Sequence, residues 1–280
     1  MKGMVTNMYK YISKTTRTLF NVVLILVFFI PFYWMAITSI KTLGETLAFP
    51  PKFWVTNPQW ENFQTALESI KFWDALKNSI IVTLGILVLQ VVTIVPAAYA
   101  FARYEFIGKK LSFGIVLATM MIPAQLVFLP IFLLLSKFEL VNTYWSLILP
   151  QATSAFGIFM LRQNFMQVPE ELIEAARLDR ASEFKIIYRI MLPIARPTVV
   201  TLAMLTFIGS WNDYFWPMVL TTTDAVRTLP VAVTSLSMVD GGVAHNIVMA
   251  GNMFLIVPII VVYMFAQKHI IKGFTYMGVK

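Results

Sequence analysis

Six stretches of this chain, 19–38, 79–101, 113–136, 144–161, 199–221 and 247–267, are apolar over roughly twenty residues, the length an α-helix needs to cross a bilayer core about 30 Å thick. Lipid offers nothing to hydrogen-bond a bare backbone, so runs of this kind are restricted to helices or to the strands of a closed barrel. They are too long and too evenly apolar for barrel strands, which alternate with a polar lumen side. The expected fold class is therefore all-α, an integral membrane bundle of six transmembrane helices. Composition agrees: 13% of residues are charged, against roughly 25% in an ordinary soluble domain. The first run follows a basic start, yet it exceeds the apolar core of a signal peptide, and Pro31-Phe32-Tyr33-Trp34 leads into no small-residue cleavage site. It is expected to remain as a span.

The basic residues orient the bundle. With an even number of spans both termini share a face, and that face holds sixteen of the 22 Lys and Arg residues, among them Arg17, Arg103, Lys109, Lys110, Arg162, Arg189 and Lys272. The opposite face has Lys41, Lys52, Lys71, Lys77, Lys137 and Arg227. The positive-inside rule thus places both termini and the segment 162–197 in the cytoplasm. The net charge of +8 is accordingly a topology signal and not a nucleic-acid footprint.

On the outer face, 40–77 is rich in aromatic residues and reads as a half-buried cap, with an amphipathic helix expected over 61–77. The outer loop 222–246 reads as polar, with a turn at Asp240-Gly241-Gly242. Pro96, Pro123, Pro130, Pro150, Pro217 and Pro258 fall inside the apolar runs, where each removes a backbone hydrogen bond and favours a kink. Broken helices suit a bundle that encloses a path, although ordinary kinks in a structural bundle are the plain alternative.

Polar chemistry within the spans is sparse. Asp213 is the one carboxylate well inside a run, which makes it a functional candidate by default; a structural Asp bonded to a neighbouring helix end is the competing reading. Gln90, Gln125, Gln151, Asn212 and Asn252 can meet a hydroxylated solute or serve as interhelical glue. An ion-coupled secondary transporter usually needs a relay of buried charges, so this scarcity points to an energy source outside the membrane. No catalytic constellation is evident. There is no cysteine, His245 and His269 are expected on opposite faces, and no Gly-Lys-Ser/Thr phosphate loop occurs. If ATP drives this protein, another chain binds it.

The one long mixed-charge stretch is 162–197. Pro169 suits a helix first turn and Glu170 and Glu171 complement its positive end. Leu172, Ala175, Ala176 and Asp179 recur at helical spacing and form a small-residue face able to approach a partner closely, while Glu174, Arg177 and Arg180 offer charges for pairing. Ser182 can cap a second helix through Phe184, Ile187, Tyr188 and Met191 that ends at Pro193. From composition alone, an amphipathic cytoplasmic hairpin with no partner is the commoner reading.

Glu174-Ala175-Ala176, Asp179, and Leu192-Pro193 beyond them resemble the EAA loop of ABC importer permeases. Ala97-Ala98-Tyr99-Ala100-Phe101-Ala102-Arg103 is similar to the end of the second span in the carbohydrate-type members. Met121-Ile122-Pro123-Ala124-Gln125, Trp211-Asn212-Asp213 with Pro217, and Gln267-Lys268 with Lys272-Gly273 are similar to their third span, fifth span and C-terminus. The similarity runs in order along nearly the whole chain and is nearest to the shorter permease of maltose-type sugar importers.

That resemblance implies the ABC importer permease fold with a cytoplasmic coupling helix, a single permease domain over 1–280, and import of a carbohydrate or related polyhydroxylated solute. It implies a second homologous permease, two ABC ATPase subunits that bind ATP and Mg, and an external solute-binding protein, in a bacterial or archaeal cell membrane. Coupling to the ATPase then falls to Glu170, Glu171, Glu174, Ala175, Ala176, Arg177, Asp179 and Arg180. The substrate path falls to Gln125, Asn212, Asp213 and Asn252, and contact with the binding protein to 222–246. The family usually has Gly where Arg180 stands, because a left-handed helix end costs a side-chain-bearing residue about 1 kcal/mol or more. A different backbone conformation at the bend is therefore expected.

Overall fold

A computed structural model describes residues 2–237 and 244–276, with side chains described over 16–237 and 244–267. The expected turn at 240–242, His269 and the basic side chains near both ends lie outside these. Every regular element among the described residues is helical. In chain order the α-helices are α1 (Lys2–Ser39), α2 (Leu43–Leu47), α3 (Glu61–Ser69), α4 (Phe72–Arg103), α5 (Lys109–Thr119), α6 (Phe128–Lys137), α7 (Tyr144–Ile148) and α8 (Ala155–Phe165). They continue as α9 (Glu170–Leu178), α10 (Glu183–Ile186), α11 (Leu192–Ile194), α12 (Arg196–Trp211), α13 (Phe215–Leu220), α14 (Leu229–Ser235) and α15 (His245–Tyr276).

The apolar runs take three forms. Thr16–Ser39, Phe72–Arg103 and His245–Gln267 are each a single helix long and apolar enough to cross a membrane. Lys109–Thr119 with Ala124–Lys137 is a helix pair bent by 97°, and the run 199–221 is divided into α12 and α13, with α12 bent by 84° from the preceding Glu183–Ile194 of the segment 162–197. The run 144–161 is divided into α7, a 3₁₀ turn over Leu149–Gln151, and α8. Proline explains some of the breaks and not others. Pro123 is extended at ψ 132° just where α5 and α6 part, and Pro150 sits in the 3₁₀ turn. Pro96 and Pro258, by contrast, lie within continuous helices.

Two compact units are distinguished, Met1–Ile70 with Val233–Phe254, and Lys71–Ala232 with Leu255–Lys280. In the first, the end of α1 is tied down by Asn62, whose buried amide donates to the carbonyls of Ser39 and Lys41, both at 2.9 Å, and accepts from Asn246 at 3.1 Å. Lys41 is buried, donates to Lys52 O at 2.6 Å and lies 4.4 Å from the Trp34 ring centroid. Burial pushes its ammonium below the usual lysine range, against the opposing pull of Glu45. A reciprocal capping box between Thr42 and Glu45 starts α2. The half-buried cap expected over 40–77 is present only in part: Lys41, Asn62, Ala66 and Ile70 are buried, whereas the aromatic Phe49, Phe53 and Trp54 are exposed. The helix expected over 61–77 ends at Ser69, a left-handed Lys71 (φ 47°) turns the chain, and α4 begins at Phe72.

In the second unit α4 packs along α7, α8 and α12. Two glycines permit the approach. A Cβ on Gly85 would meet Ile148 at 2.6 Å, and one on Gly157 would meet Ile94 at 2.7 Å. The broken backbone beside Pro150 is re-satisfied from α4, since Gln90 Nε2 donates to Gln151 O at 2.9 Å and Thr93 Oγ1 to Ala152 O at 2.7 Å.

Over its described residues 222–237, the expected outer segment is less open than its composition implies. Asn78 donates to Ala225 O and Arg227 O, Ser79 accepts from Leu229 N, and Val226, Leu229, Ala232, Val233 and Leu236 are buried. Val226 ends a 3₁₀ turn, and Leu229–Ser235 form the short helix α14. Exposure is retained at 222–225.

Candidate functional site

The segment 162–197 folds as a hairpin of short helices packed on the end of α4. Glu170 opens α9, and Asp179 closes it by donating its N–H to Ala175 O at 3.0 Å. Arg180 then takes φ +53°, and Ser182 caps α10 by accepting from Lys185 N at 3.3 Å. α10 runs on through a π-helical turn, Ile187–Met191, into α11. Ile173, Ala176, Ile186, Ile187 and Met191 are buried in one apolar cluster with Ala98, Tyr99, Leu161 and Phe165. The hairpin is thus built into the bundle and does not hang from it.

Arg180 settles the question of the bend. The left-handed conformation usual for Gly is kept, with an Arg forced into it, so the expected alternative geometry does not occur. Arg180→Gly relieves about 1–2 kcal/mol of backbone strain and loses roughly 0.5–1 kcal/mol to extra freedom of the unfolded chain. The net is a stabilisation of roughly 0.5–1 kcal/mol, read as a melting temperature higher by about 1–4 °C.

Two polar clasps fasten the hairpin to α4. At the first, Arg103, with a side chain 9% exposed, donates to Glu170 Oε2 at 2.5 Å, to Phe165 O at 2.6 Å and to Val168 O. Its planar fork is suited to several oxygens at once. At the second, the Glu183 carboxylate accepts from Tyr99 OH at 2.7 Å, Tyr104 OH at 3.0 Å and Arg177 Nε at 3.1 Å. Burial alone would raise the Glu183 carboxyl, but these three donors favour its charged form and hold it below the usual carboxylate range. The same contact, added to burial, pushes the Tyr104 phenol upward.

The face presented outward differs from the small-residue face expected. Ala176 is turned into the core, whereas Glu171, Leu172, Glu174, Ala175, Asp179 and Arg180 are exposed. Glu170 and Arg177 are engaged in the clasps. Helical geometry puts Ile173 and Ala176 on one side, three residues apart, and Glu171, Glu174 and Leu178 on the other. Two large apolar residues join the exposed face, Leu178 at 84% and Phe184 at 71% exposure. The sequence reading missed both, and their signal was an apolar residue at a polar-face position. It also missed the pairing of Arg103, Tyr99 and Tyr104 with the hairpin, whose contacts span 62 to 84 residues of chain.

Within the bundle, the structure joins Gln90, Gln151 and Asp213 in one network. Thr206 donates to Gln90 Oε1 at 2.7 Å, Gln151 Nε2 to Asp213 Oδ2 at 2.8 Å, and Trp216 N to Asp213 Oδ1 at 3.3 Å. Asp213 therefore sits at the start of α13, bonded to the end of a neighbouring helix. Gln125 is exposed at the bend between α5 and α6, Asn212 is exposed with its amide on Ile208 O, and Asn252 is half-buried in the other compact unit.

Helices long and apolar enough to cross a membrane, several of them broken, with an exposed, firmly clasped polar hairpin define a multi-pass membrane protein. The family model "Binding-protein-dependent transport system inner membrane component" matches residues 92–276, and the chain belongs to that family. The arabinooligosaccharides transport system permease protein AraQ of Halalkalibacterium halodurans is 35% identical over 244 residues, covering 87% of this chain and 86% of the relative. The diacetylchitobiose uptake system permease protein NgcG of Streptomyces coelicolor is 31% identical, covering 92% of this chain and 85% of its own. Among solved structures, a chain of a bacterial ABC transporter involved in the import of the acidic polysaccharide alginate superposes with a TM-score of 0.79 at 26% identity, over 92% of this chain and 98% of that one.

Proposed function

We propose that this chain is one of two homologous permease subunits of a binding-protein-dependent ABC importer that carries a carbohydrate, most simply a short oligosaccharide, across a bacterial or archaeal cell membrane. The observation that carries the coupling role is the exposed face of α9 and α10, with Leu178 and Phe184 projecting beside Glu171 and Glu174 from a hairpin clasped to α4. Exposed apolar side chains rimmed by charge are the usual mark of a protein-binding surface. Two ATPase subunits, binding ATP and Mg, supply the energy, and one of them covers this face. The relatives named for arabinooligosaccharides and diacetylchitobiose, and the alginate importer, support the solute class.

In this reading an external binding protein delivers solute at the face that carries 222–225. Within the second compact unit Gln125, Asn212 and Asp213 border the path, and Gln90 and Gln151 hold the broken helices together. Closure of the ATPases pulls on α9, and because the hairpin is fastened at Arg103 and Glu183 the pull reaches α4 directly.

Affinity purification of the tagged protein from mild detergent tests the assembly. An ATPase and a second permease are expected in the eluate, and both are lost when 174–180 is replaced by a flexible linker. Recovery of a lone, stable chain would overturn the reading. Glu174→Lys, a change at an exposed position, is expected to leave expression and bundle stability intact and to lower uptake at least tenfold. Normal uptake in that variant would remove Glu174 from the coupling role.

A further inference from the structure

Where α4 ends and α5 begins, the loop 104–108 and the last turn of α8 border an open cleft of about 800 Å³. Its walls are of two kinds. Lys109, Lys110 and Arg162 supply three positive charges against the single carboxylate of Glu105, while Leu111, Phe113 and Met166 supply apolar surface. Only one of the cations is neutralised locally, since Lys109 pairs with Glu105 at 2.8 Å. Arg162 is held in place by two contacts that do not cancel its charge. Nε donates to Phe101 O at 3.0 Å, and the guanidinium carbon lies 4.2 Å from the Phe113 ring centroid. Neither Arg162 nor Lys110 is in an ion pair among the described residues. A fixed guanidinium beside an exposed lysine is an arrangement for a phosphate group, which Arg meets through its fork and Lys as a point charge.

We propose that this cleft binds the headgroup of an anionic phospholipid, with the phosphate between Arg162 and Lys110 and an acyl chain along Leu111 and Phe113. The lipid is favoured by the position of the apolar wall. Leu111 is 70% exposed in the first turn of α5, the helix that opens the third apolar run, and stands next to Lys110. At the end of a span this pairing matches a lipid, whose charge lies at the boundary and whose chain points into the core. The proposal requires only that the chain crosses a membrane, and is independent of which solute it carries.

The test is the phosphatidylglycerol retained by the assembled transporter. The complex is reconstituted in phosphatidylcholine vesicles with or without phosphatidylglycerol and repurified, and its bound lipids are extracted and weighed by mass spectrometry. The complex carrying Lys110→Gln with Arg162→Gln is treated alike. Each basic residue near a charged membrane is worth roughly a fivefold factor, so the pair is expected to weaken phosphatidylglycerol retention by about 30-fold. Phosphatidylcholine retention should stay the same. Lys110→Gln alone alters an exposed side chain, and is expected to give about a fivefold loss with assembly unchanged. Equal phosphatidylglycerol retention in wild type and both variants would overturn the proposal. So would loss of a partner subunit from the Lys110→Gln complex with lipid unaffected, because the cleft would then be a protein-docking surface.

Discussion

Arg103→Ala is expected to abolish uptake and to remove most of the assembled complex from the membrane. The side chain is 9% exposed and reaches three oxygens, two of them carbonyls of the buried residues Phe165 and Val168. Truncation leaves Val168 O without this donor and Phe165 O with only the Val168 N–H at 3.3 Å, at a cost of about 2 kcal/mol, and the start of α9 loses its anchor to α4. Arg103→Lys should recover only part of the loss, since one ammonium does not reproduce a planar fork. The yield of intact complex, its melting temperature and solute uptake give the answer together. An Ala variant with wild-type melting and uptake would show that the apolar cluster alone holds the hairpin.

A different signature is expected at Glu183, where the fastening depends on charge. Glu183→Gln keeps an oxygen for Tyr99 and Tyr104 but removes the charge facing Arg177. Assembly should survive, and uptake per ATP consumed should fall roughly tenfold, within the range of 0.5–2 kcal/mol by which substitutions along a coupled network act. The pH dependence follows from the depressed carboxyl. A folded pKa below the unfolded one means that unfolding takes up protons, so stability rises with pH. The contribution is complete above the unfolded value near 4.3 and disappears as pH falls through the lower folded value. The difference in melting temperature between wild type and Glu183→Gln should therefore be constant above about pH 5.5 and shrink below about pH 4. Because the side chain is 42% exposed, the plateau is discounted to about 1 kcal/mol. A gap that does not change over that range would show that Glu183 acts through shape and not through its charge.

The sequence was enough to define the class of the fold and the place of the mixed-charge hairpin. Apolar runs of membrane-spanning length allow a helical solution and little else, because the backbone must satisfy itself in lipid. The helices on either side of Arg180 could be read from Glu170, Glu171 and Ser182, since caps and dipoles act within one turn. Local signals of that kind carry no information about what meets what. Pro96 and Pro150 look alike in the sequence, yet only the second lies at a break. Likewise Ala175 and Ala176 are adjacent in the motif, and the packing of α9 on Tyr99 and Phe165 sends one outward and the other into the core. That the hairpin is fastened to α4 emerges only on folding. Its two clasps join residues 67 and 84 positions apart, and a hydrogen bond over that distance exists only once the intervening spans have packed and brought donor and acceptor together.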